Sequence, residues 1–320
     1  MLQVGLIGLG SEWEQRFRPA LGRLSKRLQV RSVYATVGSH AEQAAAELEC
    51  DAAPGLLALI ERDDVRALLI LETDWHEGIP VWFACQLGKP VFLAGRLANR
   101  LCSTDLHRQA AAAGVTLMPD LGHRYTPVTS RLRELIATRL GRPLTIDIAA
   151  GSGGHAGFDD VGSWGTARDS FACAIDWCIS LIGTAPTAVV PVRHTDTAGM
   201  TGAQQYDVEF RRPSSGGDAA RATIRIAAAH HPAVSVNGGA TGLLFPQVKI
   251  QCANGTALLK PPCGIVWDVG GQPVSESLTA DRTDVEVMFD HFSRRVLGGL
   301  IPVPTLDDVQ RARSLAAALP

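Results

Sequence analysis

The stretch Val4 to Phe17, VGLIGLGSEWEQRF, opens like a phosphate-binding turn between a strand and a helix. In such a turn the first glycine allows a tight bend, the second lets backbone approach a pyrophosphate, and the third lets the helix pack against the strand. Gly8 and Gly10 fill the first two places, and Trp13 stands in the third. A side chain of that size either pushes the helix away from the strand or swings across the space a dinucleotide needs. Glu12 and Glu14 also oppose an anion, because carboxylates in a first helical turn satisfy the same N–H groups and the same positive dipole end. Arg16 and Arg18 come a turn later.

A second set of candidates lies on RDSFACAIDWCISLIG (168–183). Asp169, Cys173 and Asp176 fall at i, i+4 and i+7, so they share one helical face. A thiol beside carboxylates should have its pKa raised, which fits a small packed group better than a nucleophile. His76 follows the strand-like LLILETDW, and His123 lies in DLGHRY. Both stand where open α/β sheets bind ligands, and each is either a proton-moving group or a hydrogen-bonded structural one. His155 with Asp159 and Asp160, and the pair His230 and His231, carry ligand atoms at spacings that specify no metal, so no metal site is expected.

The elements that position these residues follow from periodicity. Strand-like LQVGLI, VRSVYAT, ALLILE (67–72), PVFLA (90–94) and TLMPD (116–120) alternate with helix-period PALGRLSKRL, AEQAAAELE, GIPVWFACQLG and LHRQAAAAG. That alternation predicts an α/β Rossmann-type domain with a doubly wound parallel sheet over 1–122. Beyond it the helices PVTSRLRELIATRLG and SFACAIDWCISLIG are followed by short strands: TAVVPVR, QYDVEFR, ATIRIAAA, VKIQC, TALLK and GIVWDV. The segment 123–320 is therefore expected to be an α+β domain with an open, mostly antiparallel sheet. It closes on two helices, VEVMFDHFSRRVLGG and TLDDVQRARSLAAAL, which can pack back on the first domain. Gly-rich 149–165 is the one long irregular loop.

With 320 residues, 46% hydrophobic and 19% charged, the chain has the composition of a two-domain globular protein. A net charge of -2 gives no reason to expect nucleic acid or an anionic membrane as partner. No apolar run spans a bilayer and no signal peptide is legible, so the expected location is cytoplasmic. Seven cysteines at scattered spacings fit reduced, packed thiols. Alternating apolar residues such as Ile224, Ile226 and Val234 suggest an open sheet face that self-associates into a homodimer or homotetramer.

Several stretches, in order, resemble the glucose-fructose oxidoreductase, inositol dehydrogenase and rhizopine catabolism (Gfo/Idh/MocA) family. They are VGLIGLG, LGKPVFLAGRLA, AAAAGVTLMPDLGHRYTP, RDSFACAIDWCISLIG, VKIQCANGTALL and HFSRRVLGGLIPVPTLDDVQRARSLAAAL, and together they cover nearly the whole chain. The resemblance implies NAD or NADP on the first domain and a sugar, polyol or related substrate at the domain junction. Where the family carries Glu-Lys-Pro, with a lysine beside substrate and nicotinamide, this chain has Ala94-Gly95-Arg96. Gly95 does no proton chemistry, and Arg96 can hold an anion but stays protonated. Asp169 and Asp176 keep the two carboxylates of the family's helix, while Cys173 takes its histidine position. Arg124 and Tyr125 match the segment that lines the substrate cavity, and Arg168 either holds an anionic substrate or lies in water. At the end of the second strand, NAD enzymes place an acidic residue on the ribose. Thr36 and Ser39 stand there instead, which suits a 2'-phosphate or a plain surface loop.

Two functions follow. One is an NAD(P)-binding oxidoreductase with altered chemistry on a small polar metabolite, in which Asp169 contacts substrate and His76 or His123 moves the proton. The other is a catalytically silent sensor, regulator or scaffold that no longer binds the nucleotide. Redox-neutral chemistry such as elimination or hydrolysis is a third reading, for which no nucleophile or metal is legible.

Overall fold

A computed structural model describes residues 1–73, 76–95, 104–152, 167–192, 204–211, 219–228, 245, 247–261 and 263–319. The chain divides into two compact units, Met1–Leu121 with Val285–Gln310, and Gly122–Asp284 with Arg311–Pro320.

The first unit holds β1 (Leu2–Ile7), β2 (Leu28–Tyr34), β3 (Asp51–Ala52), β4 (Ala67–Ile70), β5 (Val91–Leu93) and β6 (Leu117–Pro119). They form a parallel sheet in the order β3-β2-β1-β4-β5-β6. The chain winds outward from β1 in both directions, so the carboxyl ends of β1 and β4 flank a switch in strand order, the place where such sheets bind ligands. Every residue of β4 and β5 is buried, because helices cover both faces and the strands read as unbroken apolar runs. The connecting helices are α1 (Arg18–Arg23), α2 (Gly38–Glu47), α3 (Leu56–Ile60), α4 (Ile79–Gln86) and α5 (Thr104–Ala112). A wide π-helical turn, Trp13–Phe17, precedes α1.

In the second unit, α6 (Pro127–Leu135) starts with Pro127 in its first turn, and the Thr126 hydroxyl accepts from the Thr129 N–H as its cap. Then come β7 (Pro143–Ser152), α7 (Ala167–Ile182), β8 (Ala188–Val192), β9 (Gln204–Phe210), β10 (Ala220–Ala228), β11 (Gln247–Cys252), β12 (Thr256–Lys260), β13 (Gly264–Asp268) and β14 (Pro273–Ser277). The sheet order is β14-β13-β12-β11-β7-β10-β9-β8, antiparallel except where β7 runs parallel to β10. Phe171, Ile175 and Trp177 of α7 share one core with Ile146, Ile148, Ile224 and Ile226.

That core corrects the expectation of an apolar open face. Ile224 and Ile226 are 0% and 2% exposed, on the helix-covered side. The alternating residues on the other face of β10 are polar: Arg225 lies 3.9 Å from Asp147, and the Thr223 hydroxyl donates to Asp207 at 3.1 Å. Strand alternation separates two faces but does not say which one a helix covers. Val234 lies outside the described residues.

The chain then enters α8 (Asp284–Val296) and α9 (Leu306–Ala317). Phe289 of α8 stacks on Phe17 and meets Phe92 edge-on, while Glu286 and Asp290 pair with Arg23 and Arg27. From Arg311 onward α9 belongs to the second unit. Among the described residues, no helix is long and apolar enough to cross a membrane.

Candidate functional site

The glycine turn at the carboxyl end of β1 is formed. Gly8 has φ +69° and donates its N–H to the Tyr34 carbonyl at 2.8 Å, and Gly10 has φ +66°. A Cβ on Gly8 would stand 2.2 Å from the Glu72 carbonyl oxygen. The chain's own backbone after β4 therefore demands glycine here, whatever the ligand.

After the turn the helix departs from the fingerprint geometry. Trp13 is 5% exposed and is not among the residues that line the depression at the glycine turn. Its bulk at the third glycine position accompanies a widened first turn, in which the Phe17 N–H reaches back five residues to the Glu12 carbonyl at 3.3 Å. The helical run is then split between Trp13–Phe17 and α1, with Pro19 in the first turn of α1.

Charge in this region is arranged against a pyrophosphate. A shallow depression of about 260 Å³, partly open to solvent, is lined by Gly10, Ser11, Glu12, Phe17 and Glu72 among others. It presents two carboxylates, those of Glu12 and Glu72. Arg16 is consumed elsewhere. Its guanidinium grips Asp120 at 2.5 and 3.0 Å, with both side chains at most 5% exposed, and touches Glu12 at 3.4 Å. Arg18 pairs with Glu14 at 2.9 Å and Glu47 at 2.8 Å. The hydroxyl of Tyr34, the last residue of β2, bonds His76 Nε2 at 2.9 Å, with His76 only 7% exposed. Thr36 and Ser39 are exposed, and Ser39 lies in the first turn of α2. Arg96 lies outside the described residues, as do the metal-ligand candidates His155, Asp159, Asp160, His230 and His231. Among the described residues no cluster of His, Cys, Asp and Glu could hold a metal. The residues present do not fit a dinucleotide: the turn is retained, but the carboxylates and committed arginines around it repel phosphate or are unavailable to it.

The second unit gathers another set of predicted residues around Asp176. His123 and Arg124 lie in the short 3-10 turn Gly122–Arg124. His123 Nε2 is 2.6 Å from Asp176 Oδ2, Arg124 Nε donates to the same oxygen at 2.8 Å, and a second guanidinium nitrogen donates to Oδ1. Burial alone would push the Asp176 carboxyl up, but hydrogen bonds from His123 and Arg124 outweigh it and hold its pKa at about 2. Arg133 donates to the Arg124 carbonyl at 2.7 Å and to Ser180 Oγ at 3.1 Å. The Thr129 hydroxyl donates to the His123 carbonyl at 3.0 Å and accepts from Trp177 Nε1 at 3.0 Å. Both the backbone and the ring of His123 are thus held.

Cys173 is buried beside this carboxylate. Burial, then Asp176 and Asp169, push its thiol well above its ordinary value, so it stays neutral. Asp169 and Tyr125 are half-buried, and Arg168 is exposed. Sequence reasoning passed over Asp120, Glu72, Tyr34 and Arg133. Tyr34 could have been found as the last residue of a strand facing the ligand edge, whereas the Arg16–Asp120 pair spans 104 residues and has no local signal.

The chain has the two-part fold of Gfo/Idh/MocA-type oxidoreductases. Over 99% of its length it is similar to UDP-N-acetylglucosamine 3-dehydrogenase from Acidithiobacillus ferrooxidans, at 17% identity, 95% coverage of that chain and a TM-score of 0.71. It is likewise similar over 99% of its length to aldose-aldose oxidoreductase from Caulobacter crescentus, at 18% identity, 96% coverage and a TM-score of 0.71. A dehydrogenase from Clostridium difficile matches 99% of the chain at 14% identity, 97% coverage and a TM-score of 0.70. No family model and no curated protein matches the sequence.

Proposed function

We propose that this chain binds a sugar or related small polar metabolite through its second unit and carries no nicotinamide dinucleotide on its first. The observation that carries this reading is the commitment of Arg16 to Asp120 beside a glycine turn lined by Glu12 and Glu72. A cation that could meet a pyrophosphate is locked to an internal carboxylate, and the groups left at the turn are anionic. The sugar class is argued from similarity, since two of the matching structures are named for enzymes acting on sugars.

Under this reading the first unit, Met1–Leu121 with Val285–Gln310, is a scaffold and the second unit the binding domain. Tyr125, Arg168 and Asp169 contact the metabolite, and Asp176 positions His123 and Arg124. A homodimer or homotetramer built on the outer face of the second sheet would be held by polar pairing across residues such as Arg225 and Asp147, not by an apolar patch. The retained positive φ of Gly10, where an added Cβ would come no nearer than 3.4 Å to the Leu71 carbonyl, supports the rival reading, an NAD- or NADP-dependent oxidoreductase.

Thermal-shift titration separates the two. A sugar at a hundredfold excess over its dissociation constant should stabilise the fold by about 2.7 kcal/mol, while NAD, NADH, NADP and NADPH leave the melting temperature unchanged. A shift with a nucleotide and none with aldoses or polyols would reverse the assignment.

A further inference from the structure

We infer that His123 is an acid–base residue that opens and closes the ring of a bound reducing sugar, an activity that rests on the sugar-binding reading above and needs no hydride acceptor. The geometry fixes which nitrogen acts. Asp176 is an ionised acceptor, so His123 Nε2, 2.6 Å away, must carry the hydrogen. The lone pair of the neutral ring is then on Nδ1, which bonds to no described residue. The His123 side chain is 10% exposed, against 4% for Asp176. The clamp from Asp176, with Thr129 on the His123 carbonyl and Arg133 on that of Arg124, presets the ring before any ligand arrives.

Among the described residues there is no metal-type cluster, and the buried Cys173 thiol is held neutral. A single positioned imidazole suits a reaction made of proton transfers alone. In ring opening, Nδ1 takes the proton of the anomeric hydroxyl and C1=O forms. The bond from C1 to the ring oxygen breaks, and its electron pair stays on that oxygen, which takes a proton from water. The imidazolium returns its proton to solvent. Closure on either face of C1 reverses these steps, and nothing is oxidised or reduced.

Exchange NMR on the full chain with D-glucose, D-galactose and D-xylose tests this. The expected result is interconversion of α and β anomers faster than in buffer. His123→Gln keeps an N–H donor for Asp176 but has no basic nitrogen, so it should lose about 100-fold or more of the acceleration at an unchanged melting temperature. His40→Gln, on the exposed surface, should lose none. Buffer-level rates with all three sugars, or an undiminished rate in His123→Gln, would overturn the assignment. Saturation-transfer spectra of the same samples tell the two readings apart: contact without exchange removes the activity and leaves sugar binding standing, whereas no contact removes both.

Discussion

Tyr34 and His76 meet through a 2.9 Å hydrogen bond that joins the carboxyl end of β2 to the segment after β4. β1 lies between those strands, so the bond runs across the carboxyl edge of the sheet at the glycine turn. Together with the Arg16–Asp120 pair, it occupies polar groups at the edge that doubly wound sheets use for ligands. Tyr34→Phe should cost about 1 kcal/mol in urea denaturation, the net worth of one such bond, without creating affinity for NADH.

Arg16→Ala leaves the Asp120 carboxylate buried without its main partner. A loss of about 3–5 kcal/mol is expected. Removing Asp120 as well should recover part of it, and a double-mutant cycle reads the coupling directly. A loss below 1 kcal/mol would show that the pair is not buried as described.

Gly8→Ala tests whether the turn is kept for the fold. The added Cβ meets the Glu72 carbonyl at 2.2 Å, and φ at +69° disfavours any side chain. Destabilisation of about 1–3 kcal/mol should appear in protein free of nucleotide. Gly22→Ala, where nothing lies within 4 Å, should be nearly neutral or stabilising.

Acid stability reports on the Asp176 cluster. Its carboxyl pKa is lowered to about 2, so the contribution is complete above the unfolded value of about 4 and is lost as pH falls toward 2. The shift corresponds to about 2 kcal/mol. In Asp176→Asn the acid arm of the stability curve should flatten between pH 4 and 2, as followed by urea midpoints.

The architecture was legible because strand–helix alternation and short antiparallel runs are local patterns. Most of the strands quoted from the sequence reappear among β1–β13. The two-residue β3, the five-residue α3 and the exposed β14 went unread, being too short or too polar to carry a period. Asp176, His123 and Arg124 were each singled out, but not as one cluster, because 52 residues separate Arg124 from its carboxylate. The fate of Trp13 was undecidable from spacing: whether a bulky residue points into a crevice or into a core depends on the turn around it, here a π-helical one. The outward face of β10 was misjudged for a similar reason, since covering by α7 is a tertiary fact.

Isothermal titration of NADH and NADPH into the full chain tests the central claim most directly. No saturable heat is predicted for either at concentrations up to about 1 mM, the weak end of ordinary affinity. A saturable isotherm at micromolar concentration would contradict it, showing that the carboxylates and committed arginines at the glycine turn yield to a dinucleotide.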